Sequence, residues 1–136
     1  MTADAVASKE LVALRELADD VRVRVVAKAA AALADPVRLR IVQLLREQGE
    51  LTVGALTAQV PVSQPRVSVH LRCLTDCGFA TVRRDGRRAF YRLSGPRVVD
   101  LLDQLTGHAA ASVGGLLACL SCTPDGRPTG EPGGCC

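Results

Sequence analysis

Closely spaced helix signals in the middle of the chain constrain its fold more than any other feature. Asp35 is a helix N-cap residue followed by Pro36 at the first helical position, and Gly49 should end the helix that they begin. Thr52 then caps a short helix, and after a tight turn Ser63 caps the next one. Helices joined by connections this short predict a helix-turn-helix.

A β-hairpin should follow directly. The preceding helix should end at Gly78, because glycine commonly ends a helix. Residues 79–84 (FATVRR) and 87–93 (RRAFYRL) are β-prone runs joined by Asp85-Gly86, one of the best hairpin turn pairs. A hairpin directly after a helix-turn-helix predicts a winged helix-turn-helix, which is a mainly α fold with one small β-hairpin.

Helical patterns flank this core on both sides. Over residues 8–33 apolar side chains recur at spacings of three and four, which predicts either one long helix or two. Over residues 95–120 a similar pattern returns and is weakened at Gly114-Gly115. The predicted organisation is an N-terminal helical region (1–34), a winged helix-turn-helix core (35–94), a C-terminal helix (95–121) and a flexible cysteine-containing tail (122–136).

Positive charge is concentrated in one part of the chain. Residues 63–97 contain eight arginines and two acidic residues, whereas residues 1–62 are balanced and residues 98–136 are net negative. Such a patch is typical of a polyanion contact, although a solvated basic face is its commoner origin. With two Phe, one Tyr and no Trp, the chain lacks the aromatic platforms of single-strand binders. Double-stranded operator DNA is therefore the predicted partner.

The candidate DNA contacts lie on the second helix and on the wing. The second helix of a helix-turn-helix enters the major groove with its N-terminal residues on base edges, where Gln reads adenine and Arg reads guanine. The wing arginines can lie along the backbone or enter the minor groove. For His70, a half-exposed residue without a special role is an equally good interpretation. The predicted DNA-binding residues are Ser63, Gln64, Arg66, Ser68, Val69, His70, Arg83, Arg84, Arg87 and Arg88.

Two cysteines, Cys73 and Cys77, lie at the C-terminal end of the same helix. Four residues turn a helix by ~400°, so both thiols share a face and can reach one metal ion. The alternative is two small hydrophobic residues packed against the wing. Since two ligands do not saturate a metal, further thiolates are needed. The predicted metal ligands are Cys73, Cys77, Cys119 and Cys122, with Cys135 and Cys136 as further candidates.

The expected cellular compartment and the type of ligand limit the state of the cysteines and the choice of metal ion. No apolar run reaches the ~18 residues of a membrane helix and no signal peptide opens the chain, so we expect a cytoplasmic protein without structural disulfides. Thiolates without histidine select soft ions. Cd²⁺ and Pb²⁺ are the first candidates, and Hg²⁺ and As(III) are the next.

Three segments together resemble a known family. ALADPVRLRIVQLL, LTVGAL and VSQPRVSVHLRCLTDCGFATVRRDGRRAFYRL, within residues 29–105, are similar to the ArsR/SmtB repressors, which are winged helix-turn-helix metal sensors. The Cys-x-x-x-Cys spacing resembles the cadmium- and lead-sensing CmtR type of that family. The resemblance implies that the two flanking helical regions (1–34 and 95–121) are dimerisation elements and that the core (35–94) binds DNA. It implies a homodimer paired through its first and last helices, with a C-terminal cysteine completing a three-sulfur site and metal releasing the operator.

The same residues are also compatible with functions other than metal-responsive repression. A thiol-based redox sensor on the same fold remains an alternative, with oxidation of the cysteines as the switch. A DNA-binding protein whose zinc ion is purely structural is a further alternative. A thioredoxin-like enzyme is disfavoured, because its CxxC opens a helix after a strand whereas Cys119-x-x-Cys122 closes one. We therefore predict a repressor and not an enzyme.

Overall fold

The structure is a computed structural model that describes residues 3–120, with side chains from residue 9 onward. It divides into two compact units, with the boundary between Ser94 and Gly95. None of the described helices is both long enough and apolar enough to cross a bilayer. The elements are α1 (Ala3–Arg15), α2 (Asp19–Leu33), α3 (Pro36–Gln48), β1 (Leu51–Thr52), α4 (Val53–Thr57), α5 (Gln64–Asp76), β2 (Ala80–Asp85), β3 (Arg88–Leu93), α6 (Pro96–Ala111) and α7 (Val113–Cys119).

The N-terminal helical pattern forms two helices, so the second of the two predicted arrangements is the one observed. The backbone N–H of Leu17 donates to the carbonyl of Leu14 (3.3 Å), which closes the end of α1. Asp19 and Asp20 then begin α2, where their negative charge favours the helix N-terminus. Arg22, one turn later, forms an ion pair with Asp19.

The caps predicted for α3 and α4 are confirmed. The carboxylate of Asp35 accepts hydrogen bonds from the N–H groups of Val37 (2.9 Å) and Arg38 (3.0 Å). Gly49 follows α3 with φ of 77°, a conformation that glycine adopts without strain. The hydroxyl of Thr52 accepts from the N–H of Ala55 (3.2 Å) and so caps α4. Local capping thus fixes where the first half of the helix-turn-helix begins and ends.

Helix α5 packs on α3 and α4 through its predicted apolar stripe. Val67, Leu71 and Leu74 are fully buried. The expected capping role of Ser63 was wrong, because it occupies the N-cap position but its side chain makes no capping hydrogen bond. Pro65 at the second helical position removes one of the two N–H groups from which an N-cap oxygen normally accepts.

The predicted hairpin is confirmed, with a turn one residue later than expected. Asp85 pairs with Arg88 as the last step of the β2–β3 ladder, so Gly86 and Arg87 form the turn. Gly86 has φ of 58°, and this positive value at the first turn position explains the shift. The two-residue β1 pairs with the other edge of β3, which gives an antiparallel sheet in the order β1-β3-β2. These elements form a winged helix-turn-helix.

The second unit contains α6 and α7. Ser112 separates them, two residues before the Gly114-Gly115 pair at which the sequence pattern weakens. Val98 and Leu102 of α6 are buried, whereas other large apolar side chains of this unit are exposed. The predicted tail at 122–136 lies outside the described residues.

Candidate nucleic-acid interface and thiol site

The N-terminal half of α5 presents its polar side chains outward. Gln64, Arg66 and Ser68 are exposed, while the buried stripe holds the opposite face of the helix against the core. Val69 is also exposed, at 67%. Four of the predicted DNA contacts are therefore accessible in the N-terminal half of α5, where the apolar Val69 can meet a thymine methyl.

His70 is the one predicted contact on this helix that the structure places at the edge of the core. It is half-buried, and its ring Nδ1 lies 3.4 Å from Nη1 of Arg38 on α3. Arg38 carried no predicted role, because its partners are distant in sequence. Its position three residues after the Asp35 cap is the sequence signal that could have drawn attention to it.

The four wing arginines that were predicted to contact DNA fall into two groups. Arg84, Arg87 and Arg88 are exposed around the turn. Arg83 instead forms an ion pair with Glu50 (Nη2–Oε1, 2.5 Å), and its guanidinium lies over the ring of Phe90 at 4.6 Å from the centroid. The hydrogen bond between these partners lowers the pKa of Glu50 and raises that of Arg83. Arg83 is thus bound to its own protein, and the other three face outward.

The C-terminal end of α5 holds the two thiols in fixed positions. The N–H of Phe79 donates to the carbonyl of Leu74 (2.8 Å) and that of Gly78 donates to Thr75 (3.1 Å), which together form a Schellman motif. Gly78 has φ of 80°, the left-handed conformation that this motif requires. Cys77 is the C-cap residue, and its backbone N–H donates to the carbonyl of Cys73 (3.0 Å).

The thiols of Cys73 and Cys77 are half-buried and lie one helical turn apart. Burial, and next the neighbouring Cys73, raise the pKa of Cys77, while the positive charge of Lys28 partly opposes them. A cavity of about 770 Å³ adjoins Cys77, between the end of α5 and helix α2. Its lining residues are Val21, Arg24, Val25, Lys28, Ala29, Asp76 and Cys77.

Of the other four predicted thiols, one falls within the described residues. Cys119 is half-buried and ends α7 in the second unit, while Cys122, Cys135 and Cys136 are outside the described residues. Within residues 3–120 no group of three or more His, Cys, Asp or Glu side chains converges as a metal site. The structure therefore brings two of the six predicted ligands together.

Comparison with known structures supports this architecture. A homodimeric winged helix-turn-helix DNA-binding domain from Mycobacterium bovis (fragment 1–100) superimposes with a TM-score of 0.59 and 32% sequence identity. The match covers 68% of this chain and 89% of that one. The winged helix-turn-helix prediction is thereby confirmed.

Comparison of sequences gives the family. Residues 35–82 match the family model described as bacterial regulatory protein, arsR family. A probable mercury resistance operon repressor of Streptomyces lividans is 42% identical over 96 residues, which cover 71% of this chain and 76% of that protein. The arsenical resistance operon repressor of Escherichia coli is 47% identical over 62 residues, covering 46% of this chain and about half (53%) of its own length. The chain belongs to the arsR family of bacterial regulatory proteins and is a transcriptional regulator, not an enzyme.

Proposed function

We propose that this protein is a repressor that binds double-stranded operator DNA as a homodimer and releases it when a soft heavy-metal ion binds Cys73 and Cys77. The observation that carries the proposal is that the candidate residues for both functions lie on one helix. The half-buried thiols of Cys73 and Cys77 lie at the C-terminal end of α5, and exposed Gln64, Arg66 and Ser68 lie in its N-terminal half. An ion bound at one end therefore acts directly on the element that reads DNA.

The DNA-binding part of the proposal follows from the exposed side chains. We define the reading surface as Gln64, Arg66, Ser68, Val69 and His70 of α5 together with Arg84, Arg87 and Arg88 of the wing. In a dimer, two such helices must lie about one DNA turn apart, ~34 Å, to enter successive major grooves. The homodimeric relative supports this assembly, and so do exposed apolar side chains on α2 and α6, including Val23, Val26, Leu101 and Leu105.

The metal part of the proposal needs ligands beyond the pair. Cd²⁺ and Pb²⁺ accept three sulfurs, so we assign the third to Cys119 or Cys122, with Cys135 and Cys136 as further candidates. The names of the mercury and arsenical repressors add Hg²⁺ and As(III) as inducers to test. A coupling of ~1–3 kcal/mol would weaken operator binding ~5- to 150-fold, and DNA would weaken metal binding by the same factor.

A redox-sensing repressor is the second candidate, and one observation counts against it. Redox-sensor cysteines usually have a lowered pKa and therefore react as thiolates. The pKa of Cys77 is raised, chiefly by burial. A raised pKa keeps the Cys77 thiol protonated and slows its reaction with oxidants, whereas a soft metal ion can displace the proton.

Titration of the fully reduced protein with Cd²⁺, Pb²⁺, Hg²⁺ and As(III), with and without operator DNA, tests the proposal. We expect intense thiolate-to-metal absorption and a matching fall in operator affinity measured by fluorescence anisotropy. Operator release by peroxide without any metal-induced absorption would favour the redox function. Loss of folding on metal removal would instead identify a structural metal.

A further inference from the structure

The C-terminal end of α2 is completed by a side chain from the next helix. The last carbonyls of a helix lack partners within it, and the last turn of α2 contains no basic residue. Arg38 of α3 supplies both the missing hydrogen-bond donors and a positive charge at this end of α2. Its Nε donates to the carbonyl of Ala32 (2.6 Å), and its Nη2 donates to that of Ala31 (3.1 Å). Two of the three guanidinium nitrogens are therefore committed to α2.

The third guanidinium nitrogen of Arg38 faces the reading surface. Its Nη1 lies 3.4 Å from Nδ1 of His70. An arginine side chain can only donate hydrogen bonds, so Nδ1 must be the acceptor in this contact. In the neutral ring the proton then resides on Nε2, because one ring nitrogen donates and the other accepts.

We propose that Arg38 is a positioning residue that holds His70 in the Nε2–H tautomer and directs this N–H toward the DNA. The inference rests on the proposed DNA-binding function and adds a residue to it. Nε2–H would donate to a phosphate oxygen or to a guanine acceptor in the groove. Lysine cannot replace Arg38, because a single ammonium cannot span two carbonyls and an imidazole in one plane.

The charged groups around His70 fit this role. Asp35 accepts from the backbone N–H of Arg38 and lies near both side chains. Its partial burial opposes ionisation, but hydrogen bonds from the backbone N–H groups of Arg38 and Val37 and the positive charge of Arg38 outweigh burial and lower the pKa of Asp35. A carboxylate thus balances the guanidinium in this half-buried cluster.

Nitrogen-15 NMR of the imidazole rings tests the tautomer directly. The chain contains two histidines, and the exposed His108 serves as the reference in the same spectrum. At a pH where both rings are neutral, we expect His70 to carry its proton on Nε2 alone. In R38K, His70 should show both tautomers in populations close to those of His108. A proton on Nδ1 of His70 in the wild type, or unchanged populations in R38K, would overturn the assignment.

A double-mutant cycle on operator affinity separates positioning from a structural role. We expect R38K to weaken operator binding roughly 3- to 10-fold, the size of one hydrogen bond. In an H70Q background, R38K should have little further effect, because glutamine has no atom equivalent to Nδ1. R40K, the same change two residues along α3, is the matched control and should leave affinity unchanged.

The outcomes of this cycle distinguish failure of the proposed DNA-binding function from failure of the positioning role of Arg38. If the wild type binds no operator DNA, the proposed function itself is wrong. If it binds but R38K costs the same in both backgrounds, Arg38 acts only through the stability of α2 and the positioning role is excluded. Thermal unfolding of each variant confirms that the compared proteins are folded.

Discussion

The two ends of α5 are constructed in opposite ways. At the N-terminal end, Ser63 makes no capping hydrogen bond, and the side chains that follow it are exposed. At the C-terminal end, Gly78 and Phe79 satisfy the last carbonyls, the two thiols are half-buried, and Cys77 adjoins the cavity lined by α2. One end offers unsatisfied polar groups to an external partner, whereas the other satisfies its own backbone and keeps only soft sulfur ligands available.

This difference teaches where each kind of partner can act. A polyanion needs accessible donors and positive charge, which the reading surface provides. A thiophilic ion needs sulfur ligands held in place, and the Schellman motif fixes the backbone of Cys77. Variants at each end should therefore change one function and spare the other.

The largest expected effect is loss of the metal response. Cys73→Ser or Cys77→Ser should retain operator affinity without metal but abolish the ~5- to 150-fold weakening that metal causes, because a hydroxyl binds soft ions poorly. Fluorescence anisotropy with labelled operator at several metal concentrations measures both quantities. Failure of either variant to bind DNA in the absence of metal would contradict the separation of the two ends.

The next effect belongs to the opposite end of the helix. Arg66→Ala should weaken operator binding roughly 5- to 150-fold, the value of one paired contact with a base, and relax sequence preference at one position. Its metal affinity without DNA, measured from the thiolate-to-metal absorption, should be unchanged. An altered metal affinity would show that the two ends are not independent in the free protein.

A smaller effect tests the backbone that carries Cys77. Gly78→Ala should lower the free energy of unfolding by about 1 kcal/mol, because a φ of 80° strains alanine while its Cβ would meet open space. Gly107→Ala in α6 is the control, since its surroundings are equally open and its φ is not in the left-handed region. Thermal unfolding should show Gly107→Ala unchanged or up to ~1 kcal/mol more stable. Equal destabilisation by both changes would remove the special role of Gly78.

The smallest effect distinguishes arginines within the wing. Arg87→Ala should weaken DNA binding and reduce the slope of log affinity against log salt by up to ~0.9, the value for one phosphate contact. Arg83→Ala should change the slope less, because Glu50 already neutralises Arg83. Affinities at four or five salt concentrations provide both slopes. An unchanged slope for Arg87→Ala would exclude that residue from the interface.

Features determined by neighbouring residues could be predicted from the sequence. Asp35 and Thr52 cap their helices through backbone groups two or three positions away, and Gly78 ends α5 as expected. The buried stripe of α5 followed from helical periodicity alone. The adjacency of Cys73 and Cys77 was equally local, since one helical turn brings both thiols together.

Features that join distant segments could not be predicted in this way. The two-residue β1 has no periodic pattern and exists because β3 offers it an edge. The contacts of Arg38 with His70 and of Glu50 with Arg83 each connect residues more than thirty positions apart. Ser63 shows the reverse case, since a residue type that favours caps occupies the N-cap position without making the capping hydrogen bond.

The outer position of β2 has a consequence for self-association. An uncovered edge strand invites pairing with a strand of another molecule, and proteins commonly prevent this with charged side chains or very short edges. The sheet uses both devices, because β2 carries Arg83 and Arg84 and the opposite edge, β1, is two residues long. A second copy approaching along β2 would bring the Arg84 side chains of the two molecules together, so this edge of the sheet opposes pairing between copies.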